Sequence, residues 1–208
     1  MGSASEESKR RGFERFLLFT DAVVAIAVTL LILPVVDEVL QPEASTARTV
    51  DLLSELAGEL FGFLLSFTVI VVLWVAHQQV YSIAGTPTPW LMRLNAVWLL
   101  SITLLPFTTA LIADHSDEQA TVLLYVGNVA LSIYCLGASF LVLARNPDLL
   151  LPGSAVTIDD WLDAILNCAL VTLAFLLAVL VPRLGFYVML VLFLANPLKR
   201  FWSRRVRR

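Results

Sequence analysis

Charge is scarce in this sequence: Asp, Glu, Lys and Arg make up 15% of its 208 residues, against 59% apolar side chains. A soluble domain carries nearer a quarter charged and half apolar residues. With a mean hydropathy of +0.84, the chain reads instead as an integral membrane protein. Cysteine is limited to Cys135 and Cys168, both inside apolar runs with no metal-ligand spacing around them. There a thiol behaves as a small apolar group and says nothing of redox compartment. A single membrane histidine, no Cys/His ligand set and no nucleophile with a partner leave no recognisable active site, so neither an enzyme nor a cofactor is expected. Strand-like alternation over ~10 residues, the mark of a membrane barrel, is also missing. Runs such as Phe67 to Val75 and Leu170 to Val181 are apolar on every side, which leaves helices. Met1 to Gly12 is polar and basic and lacks a short apolar region with a small-residue cleavage site.

Six apolar stretches are long enough to cross a ~30 Å hydrocarbon core as helix. They cover about 13–36, 57–83, 90–112, 119–144, 159–181 and 184–201. The expectation is therefore an all-α membrane protein with a cytosolic tail at 1–12, a six-span domain at 13–201 and a basic cytosolic tail at 202–208. An even span number sorts the basic residues cleanly: of 14 Lys and Arg, all but Arg48 and Arg183 fall on one face. By the positive-inside bias both termini and the 2–3 and 4–5 connections are cytoplasmic. The opposite face is acidic, with Asp37, Glu38, Glu43, Asp51, Glu55 and Glu59 around the first loop and Asp114, Asp117 and Glu118 in the third. Such a collar steers cations inward, and it also serves as ordinary solvated loop charge.

Punctuation sets the boundaries. Pro34 ends the apolar face of the first span, Gly85-Thr86-Pro87-Thr88-Pro89 separates spans 2 and 3, and Pro147 with Pro152-Gly153 separates 4 and 5. Val50 to Leu60 has apolar residues close to a 3.6 period, predicting an amphipathic lead-in to span 2. Pro106 falls inside span 3 and is expected to bend it. Pro182-Arg183 is a tight connection that makes spans 5 and 6 an antiparallel pair. Nothing in spans 4 to 6 echoes spans 1 to 3, which weighs against an inverted-repeat transporter. Polar signal is concentrated in the first half, so spans 4 to 6 read as scaffold.

Asp21 stands inside the first apolar stretch. An Asp at a membrane helix centre costs about 2.5 to 3.5 kcal/mol on insertion scales, so it faces a partner, a bundle interior or water. His77, Gln78 and Asn95 lie at a similar depth near the cytoplasmic ends of spans 2 and 3. An Asp21–His77–Asn95 hydrogen-bonded set would satisfy the carboxylate and tie three helices. It would act as a polar clasp or as a site of proton or ion handling. Ile26, Leu30 and Leu33 stand at i, i+4 and i+7 with Thr29 beside them. At ~100° per residue Asp21 points roughly 140° away from Ile26. If Asp21 faces its own subunit, the aliphatic stripe faces lipid or a symmetry partner.

Arg15, Phe19, Thr20 and Asp21, followed by Ala22 to Leu31, resemble the Arg-x3-Phe-Ser-Asp signature of the bacterial relatives of the endosomal and lysosomal potassium channel, transmembrane protein 175. Ser66-Phe67 with Trp74 and His77, and Asn95 with Pro106-Phe107, are similar to that family too. Thr20 stands for the usual Ser and keeps its hydroxyl. Gln78 stands where a second His commonly follows the first.

The resemblance implies a homotetramer in the bacterial inner (plasma) membrane in which four copies of the first helix line a central pore. Its constrictions would be Ile26, Leu30 and Leu33, with Thr29 as a nearby hydroxyl ring. Asp21, Trp74, His77 and Asn95 would form the polar network within each subunit. The implied partners are further copies of the chain, the lipid bilayer and monovalent cations, with no nucleic acid and no metal beyond permeant potassium. No Thr-Val-Gly-Tyr-Gly loop is present, hence no carbonyl cage. Apolar rings gate by dewetting, so the implied activity is a leak-type channel moderately selective for potassium over sodium. No span repeats Arg as a voltage sensor does. Arg15 falls within ~20° of the stripe, at the inner mouth, paired, or snorkelling to the interface. The alternative is a proton-coupled ion or solute carrier centred on Asp21 and His77.

Overall fold

The computed structural model describes residues 2–41, 49–114 and 118–181. Helix α1 (Gly2–Leu30) starts at the polar end of the chain and runs unbroken into the first apolar stretch. Its polar turns are laced by the exposed pairs Glu7–Arg11 and Arg10–Glu14, each contributing only a few tenths of a kcal/mol, about 0.2–0.5. After a turn at Leu31-Ile32 comes α2 (Leu33–Val39), with Pro34 in its first turn. Pro34 was expected to end the apolar face of the first span; it stands in the first turn of a short helix, where a residue needs no intrahelical N–H partner.

The lead-in at 50–60 forms α3 (Thr49–Glu55), separated by Leu56 from α4 (Ala57–Tyr81). There follow α5 (Pro89–Asp114), α6 (Gln119–Arg145), a 3₁₀ turn at Pro147–Leu149 and α7 (Ile158–Leu180). Among the described residues, five stretches are long and apolar enough to cross a membrane: Arg10–Val39, Ala57–Tyr81, Pro89–Ile112, Gln119–Arg145 and Ile158–Leu180. They coincide with the first five expected spans. The expected sixth span at 184–201 and the basic tail at 202–208 lie outside the described residues.

Helix α5 is the centre of the bundle, with α1, α4 and α6 packed on it and α7 packed on α6. Its buried seam is Leu91, Asn95, Trp98, Ile102, Leu105 and Thr109, alternating steps of four and three, which is one face of a helix. Helix α1 meets the bundle along Phe13, Thr20, Val24 and Ala27, continued by Leu31 in the turn that follows it. Helices α6 and α7 run antiparallel: the Gln119 side chain at the start of α6 donates to the carbonyls of Ala178 and Val179 at the end of α7.

The α4–α5 and α6–α7 connections meet at the same end of the bundle through an isolated antiparallel bridge, Ala84 to Leu150. Leu151 N–H donates to the Ile83 carbonyl at 2.9 Å and Gly85 N–H to the Leu149 carbonyl at 2.7 Å. Glycine is required here by space. A Cβ at Gly85 would lie 2.9 Å from the Leu150 carbonyl oxygen and 3.0 Å from Leu151 Cα, backbone atoms that cannot swing aside. Gly85→Ala is therefore expected to cost about 1–3 kcal/mol as overpacking, read as a lower thermal unfolding midpoint in detergent. An unchanged midpoint would show that the two connections separate freely.

Candidate functional site

Two neighbouring residues of α1 take two different environments. Thr20 is fully buried while Asp21 is half-buried, because consecutive residues on a helix diverge by ~100°. From α4, Trp74 Nε1 and Gln78 Nε2 both donate to Asp21 Oδ1, at 2.8 and 2.6 Å. They stand at i and i+4 and so reach the carboxylate from one face. Two hydrogen bonds to a charged acceptor, each about 1.5–3 kcal/mol, are of the same order as the insertion cost of an Asp, about 2.5–3.5 kcal/mol.

His77 is turned about 60° from Trp74 and about 100° from Gln78 around α4 and is fully buried. Its Nε2 is 2.6 Å from Asn95 Oδ1 on α5. Asn95 Nδ2 donates to Thr20 Oγ at 2.8 Å, and Thr20 Oγ donates to the Phe16 carbonyl one turn back at 3.1 Å. The imidazole is stacked between Tyr81 and Trp98, with ring centroids 4.3 and 4.2 Å apart. The single Asp21–His77–Asn95 set expected from the sequence is thus two networks side by side. Among the described residues no hydrogen bond joins Asp21 to His77 or Asn95; Asp21 holds α1 to α4, and Thr20 joins α1 through Asn95 to both α5 and α4.

The aliphatic stripe is elsewhere. Ile26, Leu30 and Leu33 are 59%, 42% and 46% exposed on the isolated chain; Ile26 and Leu30 stand on the face of α1 opposite its seam with α5, and Leu33, expected on the same helix, opens α2 after the turn at Leu31-Ile32. Thr29 is exposed beside them, its hydroxyl donating to the Ile26 carbonyl at 2.8 Å. Phe19 and Arg15 are exposed as well, so of the four signature residues Thr20 and Asp21 point into the subunit and the other two do not.

Sequence reasoning passed over three further polar ties, all reaching α6. Ser101 Oγ lies 2.5 Å from Ser132 Oγ, and Asn128 Nδ2 donates to the Ser101 carbonyl. Tyr125 is tied to Ser66, which accepts from Thr109. Tyr81 lies 3.2 Å from Ser139 and donates to the Leu91 carbonyl. The signal was there: Asn128, Ser132, Cys135 and Ser139 step by four, three and four, one buried stripe of α6.

This geometry can be set beside known proteins. A family profile described as "Endosomal/lysosomal potassium channel TMEM175" matches residues 15–106, the segment that holds both networks and the stripe. A protein of Chamaesiphon minutus named a potassium channel is 33% identical over 133 residues, which is 61% of this chain and 62% of that one. The crystal structure of a lysosomal potassium-selective channel TMEM175 homolog from the same organism superimposes with a TM-score of 0.67 at 25% identity, covering 92% of this chain and 96% of that one. Over residues 15–106 the chain resembles the TMEM175 family. The likeness in fold extends past the segment matched by the TMEM175 profile, since it takes in nearly the whole chain. The human protein named endosomal/lysosomal proton channel TMEM175 is 32% identical over 112 residues, 54% of this chain. The chain spans only 22% of that TMEM175 protein.

Proposed function

We propose that the chain assembles as a homotetramer into a leak-type cation channel, moderately selective for potassium over sodium, with α1 lining the pore. The observation that carries this reading is the exposed pair Ile26 and Leu30 on α1, a helix whose opposite face is fixed to its own subunit, with Leu33 exposed just beyond it at the start of α2. A membrane helix pinned on one side by two polar networks presents its other side in a set orientation. Four such stripes around an axis make stacked aliphatic rings, a constriction that excludes water when narrow and passes partly hydrated ions when slightly wider. Thr29, its proton committed to the Ile26 carbonyl, offers an oxygen to a passing cation between those rings. The relatives named as potassium channels support potassium as the permeant ion.

The orientation follows from charge. Exposed Asp37, Glu38, Asp51, Glu55 and Glu118 collect at one end of the bundle, the end toward which the collar draws cations. The bridged connections lie at the other, with the basic residues Arg93 and Arg145 at the helix ends beside them. On this reading the bridged end and both termini face the cytoplasm of a bacterial inner membrane. The carrier alternative centred on Asp21 and His77 is disfavoured by the separation of those residues into different networks.

The test is ion flux into liposomes reconstituted with the full chain, potassium against sodium against protons. Fast, non-saturating, potassium-preferring flux is expected. Slow saturable flux tied to a proton gradient would replace the channel by the carrier, and proton flux without potassium flux would keep the channel and change its ion.

A further inference from the structure

His77 is usually the first residue to suspect of moving protons, yet its hydrogen bonds run in a direction that the neighbouring helix dictates. A threonine hydroxyl has one proton, and that of Thr20 is given to the Phe16 carbonyl. Its oxygen is then an acceptor towards Asn95, so the carboxamide turns its NH2 to Thr20 and its oxygen to His77. A carbonyl oxygen cannot donate, so the proton between Asn95 and His77 sits on His77 Nε2. A neutral imidazole with Nε2–H has a bare Nδ1, and Nδ1 is buried with no hydrogen-bond partner among the described residues. The reversed chain would put a proton on that Nδ1. That would leave a buried N–H without an acceptor, on a ring stacked against Trp98, whose own indole N–H is already unpartnered among the described residues.

We propose that Thr20 is a positioning residue: its hydroxyl sets the polarity of the chain from His77 through Asn95 to Phe16 and holds His77 as the Nε2–H tautomer. Both His77 nitrogens are then accounted for without Asp21. Nε2 gives its proton to α5, and Nδ1 is buried with no hydrogen-bond partner among the described residues, while Asp21 Oδ1 takes its protons from Trp74 and Gln78. The pair that looks like a proton relay in the sequence works as two separate ties on α1. The requirement at position 20 is a hydroxyl that can bond back to its own helix, a property serine shares with threonine. A residue of the same shape without the hydroxyl frees Asn95 to turn over, and the tautomer of a residue on another helix changes with it.

This inference does not depend on which ion the protein conducts, because its readout is spectroscopic. Solid-state NMR of 15N-histidine-labelled full-length protein in bilayers, at alkaline pH and with H115Q so that His77 is the one imidazole, reports the protonation of each ring nitrogen. In the Thr20 chain Nε2 is expected to be protonated and Nδ1 bare. In T20V the ratio of the two tautomers is expected to fall about fivefold or more, the equivalent of losing one such bond, with T20A as the second variant where T20V does not accumulate. T20S is expected to restore the original spectrum. A protonated Nδ1 in the Thr20 chain, an unaltered spectrum in T20V or T20A, or a T20S spectrum like that of T20V would each overturn the proposal.

Discussion

Leu30→Ala is expected to raise cation flux through the reconstituted protein about tenfold while narrowing the preference for potassium over sodium. The side chain stands on the exposed face of α1, where in the proposed tetramer it forms one aliphatic ring of the constriction. Removing three carbons from each of four copies widens that ring and lets water stay in it. Tenfold corresponds to only ~1.4 kcal/mol off a barrier, modest beside the cost of stripping water from an ion. The same residue makes little of the subunit core, so the fold should tolerate the change far better than a buried Leu→Ala, which costs about 2–5 kcal/mol. Flux assays beside thermal melts separate the two effects. A lower melting point with unaltered flux and selectivity would move Leu30 out of the pore and into a packing contact.

Asp21→Ala is expected to have the largest effect on stability. It strips the shared acceptor from Trp74 and Gln78, and an unsatisfied buried donor costs about 1–3 kcal/mol. Gln78 is half-buried and bears most of that cost, whereas Trp74 is 37% exposed and turns more easily to another acceptor. The sum is a loss of about 2–3 kcal/mol, seen as reduced assembly on size exclusion and a lower melting point. Asp21→Asn keeps an acceptor oxygen while removing the charge, so it is expected to fold and to conduct potassium at a rate within a few-fold of the unaltered chain. Loss of flux in a well-folded D21N protein would instead make the charge itself part of the conduction path.

Membrane class, helical spans and the polar positions of α1, α4 and α5 were legible in the sequence because the bilayer imposes them locally. A span must be apolar over ~20 residues, and any polar residue inside it stands out against that background. The exposed side of α1 was legible for the same reason, since Ile26 and Leu30 share a face by spacing alone, whereas the break at Leu31-Ile32 that puts Leu33 on α2 was not. Less visible was the part played by α6. Its Asn128, Ser132 and Ser139 do stand in register, but serine in a membrane helix often bonds to its own backbone and need not mark a contact. That ambiguity let the second half of the chain pass as featureless scaffold. In the folded bundle those residues meet Ser101 and Tyr81 and bring α6 against α4 and α5.

By itself, then, the sequence determined that this is an α-helical membrane protein, with the polar residues that tie α1 inward and an aliphatic stripe on that helix's other side. Which polar group bonds which was decided only by tertiary structure. Sequence spacing fixes the face of one helix on which a side chain stands, but not the rotation of that helix against its neighbours. A turn of ~100°, one residue's worth, is enough to give Asp21 to Trp74 and Gln78 and to leave His77 and Asn95 to Thr20.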